Sequence, residues 1–138
     1  MGILDGKAAV VTGAGRGIGR GHCLHLAQNG ASVVVNDIDT AEAKKVVDEI
    51  SAAGGKARSS AADIGTREGA ASLGGECVDA FGGIHVLVNN AGNVRDRSFL
   101  KMSDDEFSEV LRVHVHGTFM CTQEAAQRMR AQACARMR

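Results

Sequence analysis

Apolar positions in this chain form short unbroken runs, separated by longer stretches in which they recur every three or four residues. The runs are "KAAVVT" (7–12), "ASVVVND" (31–37) and "IHVLVNN" (84–90), with the more polar "KARSSAA" (56–62) as a fourth. The first three are rich in β-branched residues and apolar on both faces, as strands buried in a parallel sheet are. The amphipathic stretches predict helices over 17–29, 40–53, 66–81 and 103–130. Asn-Gly or Gly-Gly closes the first three, where a left-handed residue commonly ends a helix. Ser103 and Glu106 open the fourth with a capping box. Gly69, Gly74 and Gly75 weaken the third helix, each by about 1 kcal/mol relative to alanine.

Strand and helix therefore alternate four times, which predicts an α/β fold. Right-handed crossovers place the strands in one doubly wound parallel sheet, truncated after four strands in the order 3-2-1-4. Its ligand crevice lies between strands 1 and 4. Residues 1–138 read as a single domain with no repeat, linker or low-complexity segment. The exception is an atypical tail at 130–138. In "RMRAQACARMR" (128–138) four arginines appear with no acid, either as a helix end favoured by the dipole or as a replaced continuation.

Composition narrows the function. A chain of 138 residues buries roughly two-thirds of its unfolded surface. The 16 basic and 16 acidic residues cancel, and outside the tail no basic stripe invites a nucleic acid. Cys23, Cys77, Cys121 and Cys134 lie too far apart for zinc spacing, so no metal is expected. Without a signal peptide or long apolar run they read as reduced thiols of a cytoplasmic protein with no membrane partner. His22 and His25 share a helix face but lack a third ligand, and Arg95 and Lys101 read as solvated charges near the crevice.

Chemistry concentrates in "VVTGAGRGIGR" (10–20). It fits T-G-x-x-x-G-x-G as Thr12, Gly13, Gly17 and Gly19, and fits G-x-G-x-x-G in no register. Gly13 permits a tight strand-to-helix turn, Gly17 lets backbone approach a pyrophosphate, and Gly19 brings helix against sheet. The helix N-terminus adds partial positive charge for the phosphates. Arg16 and Ile18 belong to the same loop. Asp37, 18 residues past Gly19, ends the second strand; a carboxylate there binds ribose hydroxyls and repels a 2′-phosphate, favouring NAD over NADP. Arg16 pulls the other way. A methyltransferase would need an acid at the end of strand 1, where Thr12 stands.

"TGAGRGIG", Asp37, "ADI" (62–64) and "NNAG" (89–92) together resemble the N-terminal part of the short-chain dehydrogenase/reductase family, from about Asp5 to Met129. The resemblance implies a Rossmann-type fold that binds a nicotinamide dinucleotide. Asp63 and Ile64 would border the adenine, Asn90, Ala91 and Gly92 would line the cofactor near its ribose, and Val113 would be a further cofactor-binding residue. "NNAGNVRDRSFLKMSDDEF" and "LRVHVHGTF" are similar to the 3-hydroxyacyl-CoA dehydrogenase units of peroxisomal multifunctional enzymes and their bacterial relatives. Those units resemble this chain in carrying histidine at His114, where most of the family has asparagine. His114 is thus a candidate for proton transfer, against the alternative of a packing residue. His116 lies about 200° around the helix, so the two cannot share a metal.

Such enzymes pass hydride between nicotinamide and a secondary alcohol or ketone, with a tyrosine as proton donor, a lysine and a serine. This chain has no tyrosine, and no serine or lysine follows Ser108. Two expectations stand side by side: an NAD-dependent oxidoreductase whose catalytic segment lies beyond a missing fifth strand, and a dinucleotide-binding fragment or regulatory module that transfers no hydride. With strand 4 an open apolar edge, and a long helix of the kind through which the family associates, self-association is expected.

Overall fold

The computed structural model describes residues 2–138. Strand β1 (Ala8–Val11) is central, with β2 (Ser32–Asn36) on one side and β4 (Val86–Val88) on the other. The fourth strand, β3 (Lys56–Ser60), pairs with the outer edge of β2, completing a parallel sheet in the order 3-2-1-4. Val10 lies beside Val34 on one flank and Leu87 on the other.

Alternation along the strands assigns the layers. Ala9, Val11, Val33 and Val35 face α1 (Gly17–Gln28) and α2 (Thr40–Ala52), meeting Cys23, Ala43, Val46 and Ile50. Ala8, Val10 and Val34 face α3 (Arg67–Phe81) and the C-terminal helix, meeting Leu73, Cys77, Cys121 and Ala125. Helices thus cover both faces, as a doubly wound sheet requires. Burying each of these valines contributes about 1.5–3 kcal/mol relative to leaving it in water. Burial also pushes the thiols up, Cys23 to about 12 and Cys77 and Cys121 to about 11, so all three sit protonated in the core.

The predicted fourth helix differs in form and length. It comprises α4 (Asp104–Leu111), one π-helical turn (Arg112–His116) and α5 (Gly117–Arg136). Contacts at 112, 114 and 117 hold the extra residue: Arg112 reaches Asp63, His114 reaches Asn93, and Gly117 rests on Ile64. The helix continues past residue 130 because its last turns are docked. Gln132 accepts the Ile84 N–H at 2.7 Å and donates to the Ile84 carbonyl at 2.9 Å, supplying the entry to β4 with both bonds of a strand neighbour. Two of the three α3 glycines, Gly69 and Gly74, also find a reason. A Cβ on Gly69 would collide with the Asp63 carbonyl, and one on Gly74 would press on the Arg128 guanidinium at 3.0 Å.

The two sheet edges are unlike. β3 shows Lys56, Arg58 and Ser59 to solvent, whereas β4 is short, apolar and half-buried. A fully buried fourth strand does not form, because no neighbour covers its outer side among the described residues. No helix among them is long and apolar enough to cross a membrane.

Candidate dinucleotide site

The loops leaving β1 and β4 separate at their C-terminal ends, and a clasp fixes their spacing. The buried Thr12 hydroxyl accepts the Asn90 and Ala91 N–H groups at 3.1 and 3.0 Å. In return the Asn90 amide donates to the carbonyls of Thr12 (3.1 Å) and Gly13 (2.9 Å). Gly13 adopts φ +60°, and a Cβ there would stand 2.7 Å from Ala91 Cα, so only glycine allows the two loops to cross. Gly19 is buried beneath this crossing, where a Cβ would fall 2.5 Å from the Asn90 amide nitrogen.

Between the loops opens a cleft of about 580 Å³. Of the cofactor residues expected from sequence, Gly13, Arg16, Asp37, Asp63, Ile64, Asn90, Ala91, Gly92 and Val113 line it. Thr12 and Gly19 lie under its floor, and Gly17 and the exposed Ile18 sit on the first turn of α1. Gly17 has φ +57° and nothing within 4 Å of where a side chain would be. The starts of α2, α3 and α4 are each capped by a side chain, from Asp39, Thr66 and Ser103. The start of α1 is not: Arg16 makes no cap bond and no acid lies in the first turn. Its first N–H groups are left for an anion.

Sequence reasoning passed over several participants. Gly15 donates its N–H to Asp37 Oδ2 at 2.9 Å, and Asp37 Oδ1 accepts the Asp39 N–H at 2.9 Å. Asn36, buried at the end of β2, donates to the Ala62 carbonyl at 3.0 Å and so sets the width between the β2 and β3 loops. Arg112 grips both Asp63 oxygens at 3.0 Å and also pairs with Glu109. That guanidinium holds the Glu109 carboxyl below its usual range, and the two acids raise the Arg112 pKa in turn. No local pattern marks these residues; only the fold brings them to the cleft.

His114 lies on the π turn at the rim. Its Nε2 is 3.0 Å from the Asn93 nitrogen and 2.8 Å from the Asn93 oxygen, accepting from one or donating to the other according to the tautomer. A Cβ on Gly92 would strike the His114 ring. The neighbouring Asn93 Oδ1 is buried without a hydrogen-bond partner.

The profile of the short chain dehydrogenase family matches residues 7–137. The chain belongs to the short-chain dehydrogenase family. Hydroxyacyl-CoA dehydrogenase ChsB1 of Mycobacterium tuberculosis is 48% identical over 135 residues, covering 94% of this chain and 42% of its own length. Peroxisomal multifunctional enzyme type 2 of Drosophila melanogaster is 44% identical over 137 residues, covering 93% of this chain and 22% of its own. Both names agree with the likeness to hydroxyacyl-CoA units carried by residues 89–119. A 7α-hydroxysteroid dehydrogenase solved with NADH and 7-oxo glycochenodeoxycholic acid superposes with a TM-score of 0.88 at 37% identity, over 94% of this chain and 50% of that one. The chain spans less than half the length of either curated relative. The family is one of NAD(P)-binding oxidoreductases with a Rossmann-type sheet, and this cleft suits such a cofactor: bare backbone at Gly13 and Gly17, an uncapped helix start and a carboxylate at Asp37.

Proposed function

We propose that this chain is the cofactor-holding unit of a short-chain-type oxidoreductase, taking NAD in preference to NADP. The observation that carries the reading is the open, uncapped start of α1, in a molecule whose other inter-strand helices are capped. When bound, the nicotinamide supplies the hydride acceptor or donor for a secondary alcohol or ketone; the hydroxyacyl thioester class is favoured by the names of the relatives.

The roles of the chain's own residues follow from their bonds. Gly13, Gly17 and the first turn of α1 with Ile18 receive the pyrophosphate, while Thr12 and Gly19 hold the loop from beneath. Asp37 spends one lone pair of each oxygen on Gly15 and Asp39, leaving the others for two ribose hydroxyls. Asp63 and Ile64 wall the adenine end, and Asn90, Ala91, Gly92 and Val113 the other. That a structural neighbour was solved with NADH supports the choice of nucleotide. His114, bonded to the backbone of Asn93, is assigned the placing of the 92–93 loop rather than proton transfer.

A phenol to relay the proton is absent from these 138 residues. Residues 1–138 accordingly act as one dinucleotide-binding unit that exchanges no hydride by itself. Phe107, Leu111, Val115 and Phe119, each more than a third exposed and four apart along one helix, favour pairing with a second copy. Cys23, Cys77 and Cys121, buried as free thiols, favour a reducing compartment such as the cytoplasm.

Titration calorimetry with NADH and ADP-ribose tests the reading, alongside a search for NAD reduction with secondary alcohols and a 3-hydroxyacyl thioester. Both ligands should bind, and reduction should stay at the buffer blank. Failure of both ligands to bind would refute the site; turnover lost in His114→Ala would refute the role given to that residue.

A further inference from the structure

Of the three arginines that line the cleft, Arg16 is the one carried by the glycine loop, and it is not free. Its Nη2 lies 2.8 Å from Asp39 Oδ2. Asp39 is itself fixed twice. Its Oδ1 caps α2 by accepting the Glu42 N–H at 3.2 Å, and its own N–H is bound to Asp37. Gly15, Asp37, Asp39 and Arg16 therefore close a ring between the glycine loop and the β2–α2 turn. The remaining cleft cations are engaged elsewhere, Arg112 with Asp63 and Glu109, Arg95 with the Val94 carbonyl.

Resting on the dinucleotide reading above, we propose that Asp39 is a specificity-determining residue: it latches Arg16 and so withholds from a 2′-phosphate the guanidinium that would receive it. A guanidinium offers a planar fork of donors suited to a phosphate. Arg16 stands beside Asp37, the acid placed for the ribose hydroxyls, so its direction decides whether the 2′ position meets one net charge or another. Held by Asp39, it leaves Asp37 unopposed. The Asp37 carboxylate then meets the 2′ position with no cation to offset it, and the unphosphorylated cofactor is preferred. Because the partners' side chains are 69% and 42% exposed, the latch is a bias and not a lock.

The test compares ADP-ribose with 2′-phospho-ADP-ribose by calorimetry on the 138-residue chain. Asparagine caps a helix as well as aspartate, so Asp39→Asn keeps the start of α2 while removing the charge. It should raise the affinity for the 2′-phosphorylated ligand about fivefold, the ceiling for an exposed ion pair, and leave ADP-ribose unchanged. Asp39→Ser, which still caps but is too short to hold Arg16, should do the same. In an Arg16→Gln background neither substitution should move the ratio by more than about twofold, the residue of plain charge repulsion. A gain that persists undiminished without Arg16, or no change of ratio in either variant, would overturn the latch. Loss of ADP-ribose binding by the unsubstituted chain would instead strike the dinucleotide site itself, so the two failures are distinct.

Discussion

The cleft has two unlike sides. On the β2 side, within a few residues of Gly15 and Asp37, the loop N–H groups and carboxylates are joined in short bonds, and the turns are anchored to helix starts. On the β4 side, residues 92–98 carry no regular structure, and Val94, Phe99 and Leu100 are 85–93% exposed. That loop is tied down by His114 at one end and by Arg97 with the Ser103–Glu106 capping box at the other. One side is built before a ligand arrives. The other presents apolar side chains that only gain from being covered. Preorganisation lowers the entropy lost on binding, so the β2 side should dominate affinity whatever the β4 side later meets.

The sharpest way to break this contrast is Gly13→Val. At φ +60° and with Ala91 Cα in the way, the substitution should cost about 2–4 kcal/mol in stability and at least about a hundredfold in NAD affinity. Thermal melting and calorimetry measure both; unchanged NAD binding would show that the crossing is irrelevant to the ligand. Next is Asp37→Ala. Losing a carboxylate that accepts two backbone N–H groups should weaken NAD about tenfold or more and NADP less than about threefold. Equal losses would reduce Asp37 to a loop anchor.

A smaller effect sharpens the comparison from the opposite side. NADH and ADP-ribose should bind within about threefold of each other, because so few ordered groups on the β4 side reward the nicotinamide. A much tighter NADH would mean that this side is as well formed as its partner. The smallest effect concerns pH. The Ser103 N–H and then Arg97 hold the Glu106 carboxyl below its ordinary range. A depressed acid contributes stability above its unfolded value, near pH 4.3, and that contribution is lost as pH falls through the lower folded value. Amide resonances of 97–106 should therefore shift on acidification below about pH 4. In Glu106→Gln the titration should vanish; its persistence would assign it to another carboxyl.

Much of this was open to reading from residue order. Runs of β-branched residues, helix-ending glycines and a capping box are local devices, and all reappear in the fold: Gly30, Gly54 and Gly82 take positive φ, and Ser103 and Glu106 bond reciprocally. The glycine loop was equally legible because its spacing is the steric requirement itself. The two shortfalls, in the sheet and in the helix, both arise from contacts distant in the chain. β4 shrank to three residues for want of a neighbour, and the fourth helix took a π turn through side chains bonded across the cleft.

By itself, then, the order of residues determined the alternation of strands and helices, the winding of the sheet and the bend of bare backbone beneath α1. Each depends on interactions between residues close in the chain, or on a periodicity that recurs along it. Tertiary structure alone decided that Arg112 would engage Asp63, 49 residues away, that His114 would turn to Asn93, and that Arg16 would be held by Asp39 across 23 residues. Charged and polar side chains pair with whatever the packed backbone brings within 3 Å, and no short-range pattern states which partner that will be.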